Sequence, residues 1–194
     1  MMMEIPISKE AAKHGIMLGK KVYLDKIDFP DKFHYGGANE LQADIYGFIA
    51  ETVVCEYFGV DFPAFTPQQN DEFDLMIKDL KVDVKKVGYS RKTKQPKITL
   101  NKRQFARKKT KIDVFLFCTF EGAFQQLKVG INDYQIFVPI PTLGTLRLLG
   151  WVNSTEVEKI SRTYVWKDRE GKPMDESWQI PISKLKLVEE LLKK

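Results

Sequence analysis

The stretch EFDLMIKDLKVDVKKV, residues 72–87, can settle into very few shapes. Apolar and polar residues alternate on both sides of Lys78-Asp79, which is the pattern of two half-buried strands joined by a short turn. A turn centred on that pair makes partners of residues whose numbers sum to 157, so Leu75 opposes Val82 and Asp74 opposes Asp83. Opposed residues share a side of the sheet, with Cβ atoms about 4.5–5.5 Å apart. One side carries Phe73, Leu75, Ile77, Leu80, Val82 and Val84, all apolar. The other carries Asp74, Met76, Lys81, Asp83 and Lys85. Like charges held face to face destabilise a sheet. The fold must therefore bury one side of this hairpin and compensate the repulsion on the other.

The flanking segments supply material for a mixed α/β domain. ANELQADIYGFIAETVVCEYFG, residues 38–59, repeats residues of an apolar face at helical spacing (Leu41, Ile45, Phe48, Ile49, Thr52 or Val53, Tyr57) and ends on Gly59, a C-terminal stop. VDFPAFTPQQND is a loop rich in turn formers. After the hairpin comes a basic turn, GYSRKTKQP, then a short strand, KITL. Asn101 is placed to cap a helix, KRQFARKKT. KIDVFLFCTF is a continuous apolar run, as in a strand buried on both faces. QLKVGINDYQIFVPIP holds one or two strands, and Asn153 or Ser154 can cap a short helix in NSTEVEKI. SWQIPISKLKLVEELLKK reads as a strand, a turn and a final amphipathic helix. Residues 1–37, with their scattered Gly, Pro and aromatics, read as an irregular N-terminal arm. The order αβββαβ, followed by further strands and helices, predicts one α/β domain over 1–194 with a central mixed β-sheet flanked by helices. Its core spans 38–120, and 121–194 adds C-terminal strands and helices.

Charge is unevenly distributed along the chain. Lys78 to Lys111 contains 14 Lys or Arg and two acids, a local charge of +12, whereas the remainder holds 17 basic and 24 acidic residues. Segregated positive charge fits a polyanionic partner, most often nucleic acid. No apolar run approaches the roughly 18 residues of a membrane span. MMMEIPISKEAAKHG has neither the apolar core nor the cleavage site of a secretory signal. Cys55 and Cys118 lie in apolar segments without metal-ligand spacing, so both read as reduced core residues of a cytoplasmic protein. His14 and His34 are read as packing or surface residues; Tyr89, Phe105 and Trp151 are candidates for stacking on bases, although aromatics among apolar neighbours are more often core.

Three carboxylates stand out as candidate chemistry. Asp74 and Asp83 share a strand face, and Lys85 follows on the same side about 6.5–7 Å along. Glu51 has Gly47, Phe48, Val54 and Cys55 as helical neighbours, which puts an acid on or beside a packed face. Ionised carboxylates are seldom buried unless paired or bound to metal. Few hard oxygen ligands, with room left for water and phosphate, suit Mg²⁺ or Mn²⁺. Such an ion would relieve the Asp74–Asp83 repulsion and acidify a bound water. The bland alternative is that both aspartates pair with Lys81, Lys85 or Lys86 on an exposed sheet face.

With these residues in view, the segment from GFIAE to DVK resembles the PD-(D/E)XK nuclease superfamily, whose members include restriction endonucleases and Holliday-junction resolvases. Glu51 matches the helix-borne acid, Asp74 the first strand acid, and Asp83-Val84-Lys85 the (D/E)-x-K element. Two departures are Phe73 in place of the motif proline and Asp83 in place of the commoner glutamate. The resemblance spans residues 40–120 and implies a restriction endonuclease-like fold. It implies a metal held by Glu51, Asp74, Asp83 and the main-chain carbonyl of Val84, with Lys85 assisting the attacking water. The following helix is one that often faces DNA in that family. On this reading the chain is a Mg²⁺-dependent nuclease, more an endonuclease than an exonuclease, from a prokaryote or virus, with DNA as partner and a homodimer in keeping with relatives. Lys86, Arg91, Lys92, Lys94, Lys102, Arg103, Arg107 and Lys108 are the candidates for a phosphate-tracking surface. A DNA-binding protein without catalysis, and a basic face for an acidic protein, are the competing expectations.

Overall fold

The computed structural model describes residues 2–28, 38–63, 73–89, 95–122, 125–131, 134–140, 144–167 and 170–193. In chain order its elements are β1 (Met3–Pro6), α1 (Lys9–Asp28), α2 (Ala38–Phe58), β2 (Leu75–Ile77), β3 (Leu80–Lys86), β4 (Gly88–Tyr89), β5 (Pro96–Asn101), α3 (Lys102–Lys108) and β6 (Val114–Glu121). They continue with β7 (Gln125–Ile131), β8 (Tyr134–Ile140), β9 (Thr145–Asn153), α4 (Val157–Ile160), β10 (Arg162–Lys167), β11 (Pro173–Ile180) and α5 (Val188–Leu192). The protein is mixed α/β. It divides into two compact units, one of Met1–Met3, Glu72–Thr119 and Leu148–Lys194, the other of Glu4–Asp71 and Phe120–Arg147.

In the first unit, strands follow the order β9-β6-β3-β2. The hairpin forms as its alternation requires: Leu75 pairs with Val82, Met76 with Lys81 and Ile77 with Leu80. Lys78 takes a positive φ of 52°, which lets a two-residue turn follow the twist of the strands. Leu75, Ile77, Val82 and Val84 are buried, while Met76 is exposed. On its other edge β3 pairs in parallel with β6, setting Asp83 beside Phe115 and Lys85 beside Phe117. The sheet is thus mixed, and every residue of β6 from Val114 to Phe120 is buried, as its unbroken apolar run requires.

The expected order αβββαβ gains a two-residue strand, β4, and the predicted strand KITL, within β5, goes elsewhere. β5 bonds to β11 and β4, in a second sheet of order β10-β11-β5-β4. Both edges of β3 are already taken by β2 and β6, which leaves β5 no place beside it. α3 starts where its cap predicts, with Asn101 Oδ1 accepting from the N–H groups of Arg103 and Gln104. Its Phe105 packs on Phe115, ring centroids 5.8 Å apart, within a core that includes Ile98, Leu100, Phe117 and Ile180. Asn153 precedes a 3-10 turn but makes no side-chain cap; its Nδ2 donates to Glu156 instead.

In the second unit the predicted irregular arm gives way to a 20-residue helix, α1. Gly15 and Gly19 are contacts, not breakers. A Cβ at either would lie 2.6 or 2.5 Å from the backbone of Ile49 or Ile45 on α2. Thr52 Oγ1 donates across that seam to the Ala11 carbonyl at 2.9 Å. His14 meets the Pro63 carbonyl and the Phe62 ring, a packing role, while His34 lies outside the described residues. Cys55 and Cys118 are buried and not joined in a disulfide, and Phe105 and Trp151 are core.

Candidate active site on the β2–β3 hairpin

Asp83 sits in the middle of β3 and has no exposure to solvent. Its Oδ1 accepts from Lys108 Nζ at 2.7 Å, and its Oδ2 stands against Lys85 Nζ in an ion pair. Oδ2 receives no hydrogen bond of regular geometry despite that contact. Charge attraction holds the two groups together at an angle that a hydrogen bond does not tolerate. The two ammonium groups arrive by different routes. Lys85 lies two residues along the same strand, where the period of two returns it to the Asp83 side. Lys108 ends α3, three residues after Phe105, so the helical turn that buries Phe105 on Phe115 also aims Lys108 at Asp83.

Asp74 enters from the residue before β2. Its N–H donates to the Val82 carbonyl at 2.9 Å, and its Oδ2 accepts from the Val84 N–H at 2.6 Å. The carboxylate thereby extends the hairpin ladder by one rung beyond the strand. Burial first, and the charge of Asp83 second, push its pKa up from 3.8 to about 6. Lys85, Lys108 and the Val84 N–H pull the other way. The compensation asked of the opposed aspartates is therefore supplied by two lysines, one predicted for the site and one expected on a DNA-facing surface.

The remaining predicted residues divide clearly. Glu51 lies in α2, in the second unit, half-buried and with a partner of its own. Among the described residues no group of three or more His, Cys, Asp or Glu side chains is gathered as a metal-ligating cluster. Lys86, Arg103 and Arg107 are exposed. Lys102 donates to Thr163 and Glu176 and lies over the Trp178 ring, so much of its charge is spent within the protein. Arg91, Lys92 and Lys94 fall outside the described residues. Asp113 escaped sequence reasoning: its Oδ2 accepts from the Lys81 N–H and its own N–H donates to the Lys81 carbonyl, which locks the start of β6 to β3. An acid directly before a long apolar run was the available signal.

The Asp74 and Asp83 carboxylates are hard oxygen donors of the kind a divalent cation takes, and both oxygens of Asp83 are held by lysine ammonium groups. Mg²⁺ is commonly held by one or two carboxylates with waters and phosphate completing its shell. None of the described helices is long and apolar enough to cross a membrane. No family model, no curated protein and no solved structure matches the chain.

Proposed function

We propose that the chain is a divalent-metal-dependent nuclease that hydrolyses DNA phosphodiester bonds, on a restriction endonuclease-like core. The observation that carries the reading is the fully buried Asp83, close enough to Asp74 for its charge to raise the pKa of that carboxyl, and flanked by Lys85, in the centre of a mixed sheet. A buried, repelling acid pair weakens a hairpin that could have been built from apolar residues, which points to a chemical role. The adjoining +12 segment supports a polyanionic substrate.

Asp74 and Asp83 would hold Mg²⁺ or Mn²⁺ through their carboxylates, with the Val84 carbonyl as the further ligand the motif implies on the same strand. The bound ion supplies an acidified water and positive charge at the phosphoryl oxygens. Lys85 is one-third exposed, so its ammonium can meet a phosphate while staying anchored on Asp83. There it offsets charge developing on the phosphoryl group and orients the attacking water. Arg103 and Arg107 on α3, with Lys86 on β3, present exposed charge to backbone phosphates, which gives affinity without base specificity.

One observation favours a second reading, a DNA-binding protein without catalysis. Lys85 and Lys108 already neutralise the acid pair without a metal. Labelled DNA incubated with the protein in Mg²⁺ or EDTA separates the two. The nuclease reading expects Mg²⁺-dependent products, lost in Asp83→Asn and Lys85→Met. Equal cleavage by parent and variants, or binding without cleavage in any divalent cation, overturns it.

A further inference from the structure

We infer that Lys108 is a positioning residue, a latch on Asp83 that a substrate phosphate releases, so that metal loading is coupled to nucleic-acid binding. The inference rests on the nuclease reading and deepens it. Asp83 is shut off from solvent and holds an ammonium group at each carboxylate oxygen. With Asp74 ionised, the two acids and two lysines balance. A divalent cation added to that balanced, buried cluster leaves two uncompensated positive charges where the dielectric is low, an unfavourable state. If one ammonium leaves and one phosphodiester arrives, the cluster is neutral again with the cation in place.

Geometry singles out Lys108 as the group that leaves. Lys85 belongs to β3, whose backbone at that point is paired with β6 beside Phe117, and its anchor is on its own strand. Lys108 stands at the end of a seven-residue helix and reaches Asp83 through a flexible four-carbon stem. Its side chain is 31% exposed, and the same helix offers the exposed Arg103 and Arg107 to an incoming phosphate backbone. A phosphate drawn in by those arginines meets the Lys108 ammonium as an alternative anion. Asp83 Oδ1 is then released.

Mn²⁺ titration followed by electron paramagnetic resonance tests this on the full chain, with and without a phosphorothioate duplex that resists hydrolysis. Without DNA, Lys108→Met should bind Mn²⁺ about tenfold more tightly than the parent, and Lys108→Arg should bind as the parent does. The duplex should tighten Mn²⁺ binding by the parent several-fold more than by Lys108→Met, and by reciprocity Mn²⁺ should tighten duplex binding to the same degree. A cooperative thermal transition in EDTA, raised more by Mn²⁺ in Lys108→Met than in the parent, gives the same answer without a binding isotherm. Lys108→Gln serves if the methionine variant does not fold. Equal Mn²⁺ affinity in parent and variant, lost in Asp83→Asn, overturns the latch and leaves the nuclease reading standing. No Mn²⁺ binding by any form, with or without duplex, overturns both.

Discussion

Lys108 and Lys109 are neighbours at the end of α3, yet their charges end on carboxylates of opposite kind. Lys108 Nζ lies 2.7 Å from Asp83, which is fully buried. Lys109 Nζ lies 3.2 Å from Glu158, and both side chains are about half exposed (46% and 50%). An exposed pair competes with water and salt, so it adds little to stability. A buried acid cannot fall back on water and must keep a counter-charge, whether lysine, proton or metal. The same two-lysine signal therefore marks a solvated surface pair at one position and a buried charge cluster at the other. The exposure of the acid, not of the lysine, makes the difference.

The largest test of that contrast is catalytic. Asp83→Asn should reduce Mg²⁺-dependent cleavage at least about a hundredfold, some 2.7 kcal/mol of transition-state stabilisation. Glu158→Gln should stay within about twofold of the parent in the same gel assay. Similar losses in both would erase the distinction. Stability comes next. In urea with EDTA, Lys108→Ala should lose about 1.5–3 kcal/mol, as expected for a hydrogen bond to a charged group. Lys109→Ala should change by less than about 0.5 kcal/mol, as surface substitutions do. Equal effects would show that burial of Asp83 does not set the strength of its pair.

Proton linkage sharpens the same point through Asp74. Its pKa of about 6 in the fold exceeds the ordinary 3.8, so between those values the folded state binds more protons than the unfolded state. Unfolding free energy from this group therefore falls as pH rises from about 4 to about 6, and the contribution is fully present only below that window. Asp74→Asn should remove this slope in metal-free buffer, as read by denaturant unfolding at successive pH values. Apparent Mn²⁺ affinity should rise with pH over the same interval, because the proton on the carboxylate competes with the cation. The smallest effect belongs to the exposed pair. A double-mutant cycle on Lys109 and Glu158 should give about 0.2–1 kcal/mol. That coupling should vanish in 1 M NaCl, where the screening length is about 3 Å, while the Lys108–Asp83 coupling persists.

Much of the local architecture was legible in the chain because its signals are short-range. Alternation set the hairpin and its register, an asparagine marked the start of α3, and an unbroken apolar run marked β6. α1 was missed because glycine usually interrupts a helix. At Gly15 and Gly19 the missing side chains instead admit the backbone of α2, and no local rule reveals that. The destination of β5 was missed for a similar reason, since a strand's own residues do not name its partner. In the site, Asp74, Asp83 and Lys85 could be placed on one face by counting. Lys108 could not, because 25 residues of intervening chain separate it from Asp83.

By itself the sequence determined which side chains share a strand face, and hence that two aspartates would confront each other beside a lysine. A period of two leaves no freedom in that. Tertiary structure alone decided that Asp83 would lose all contact with water and that a helix from the far end of a crossover would deliver a second ammonium group to it. Burial and long-range charge pairing depend on which surfaces meet in space, and that is settled by the packing of Phe105 on Phe115, not by the order of residues around either charge.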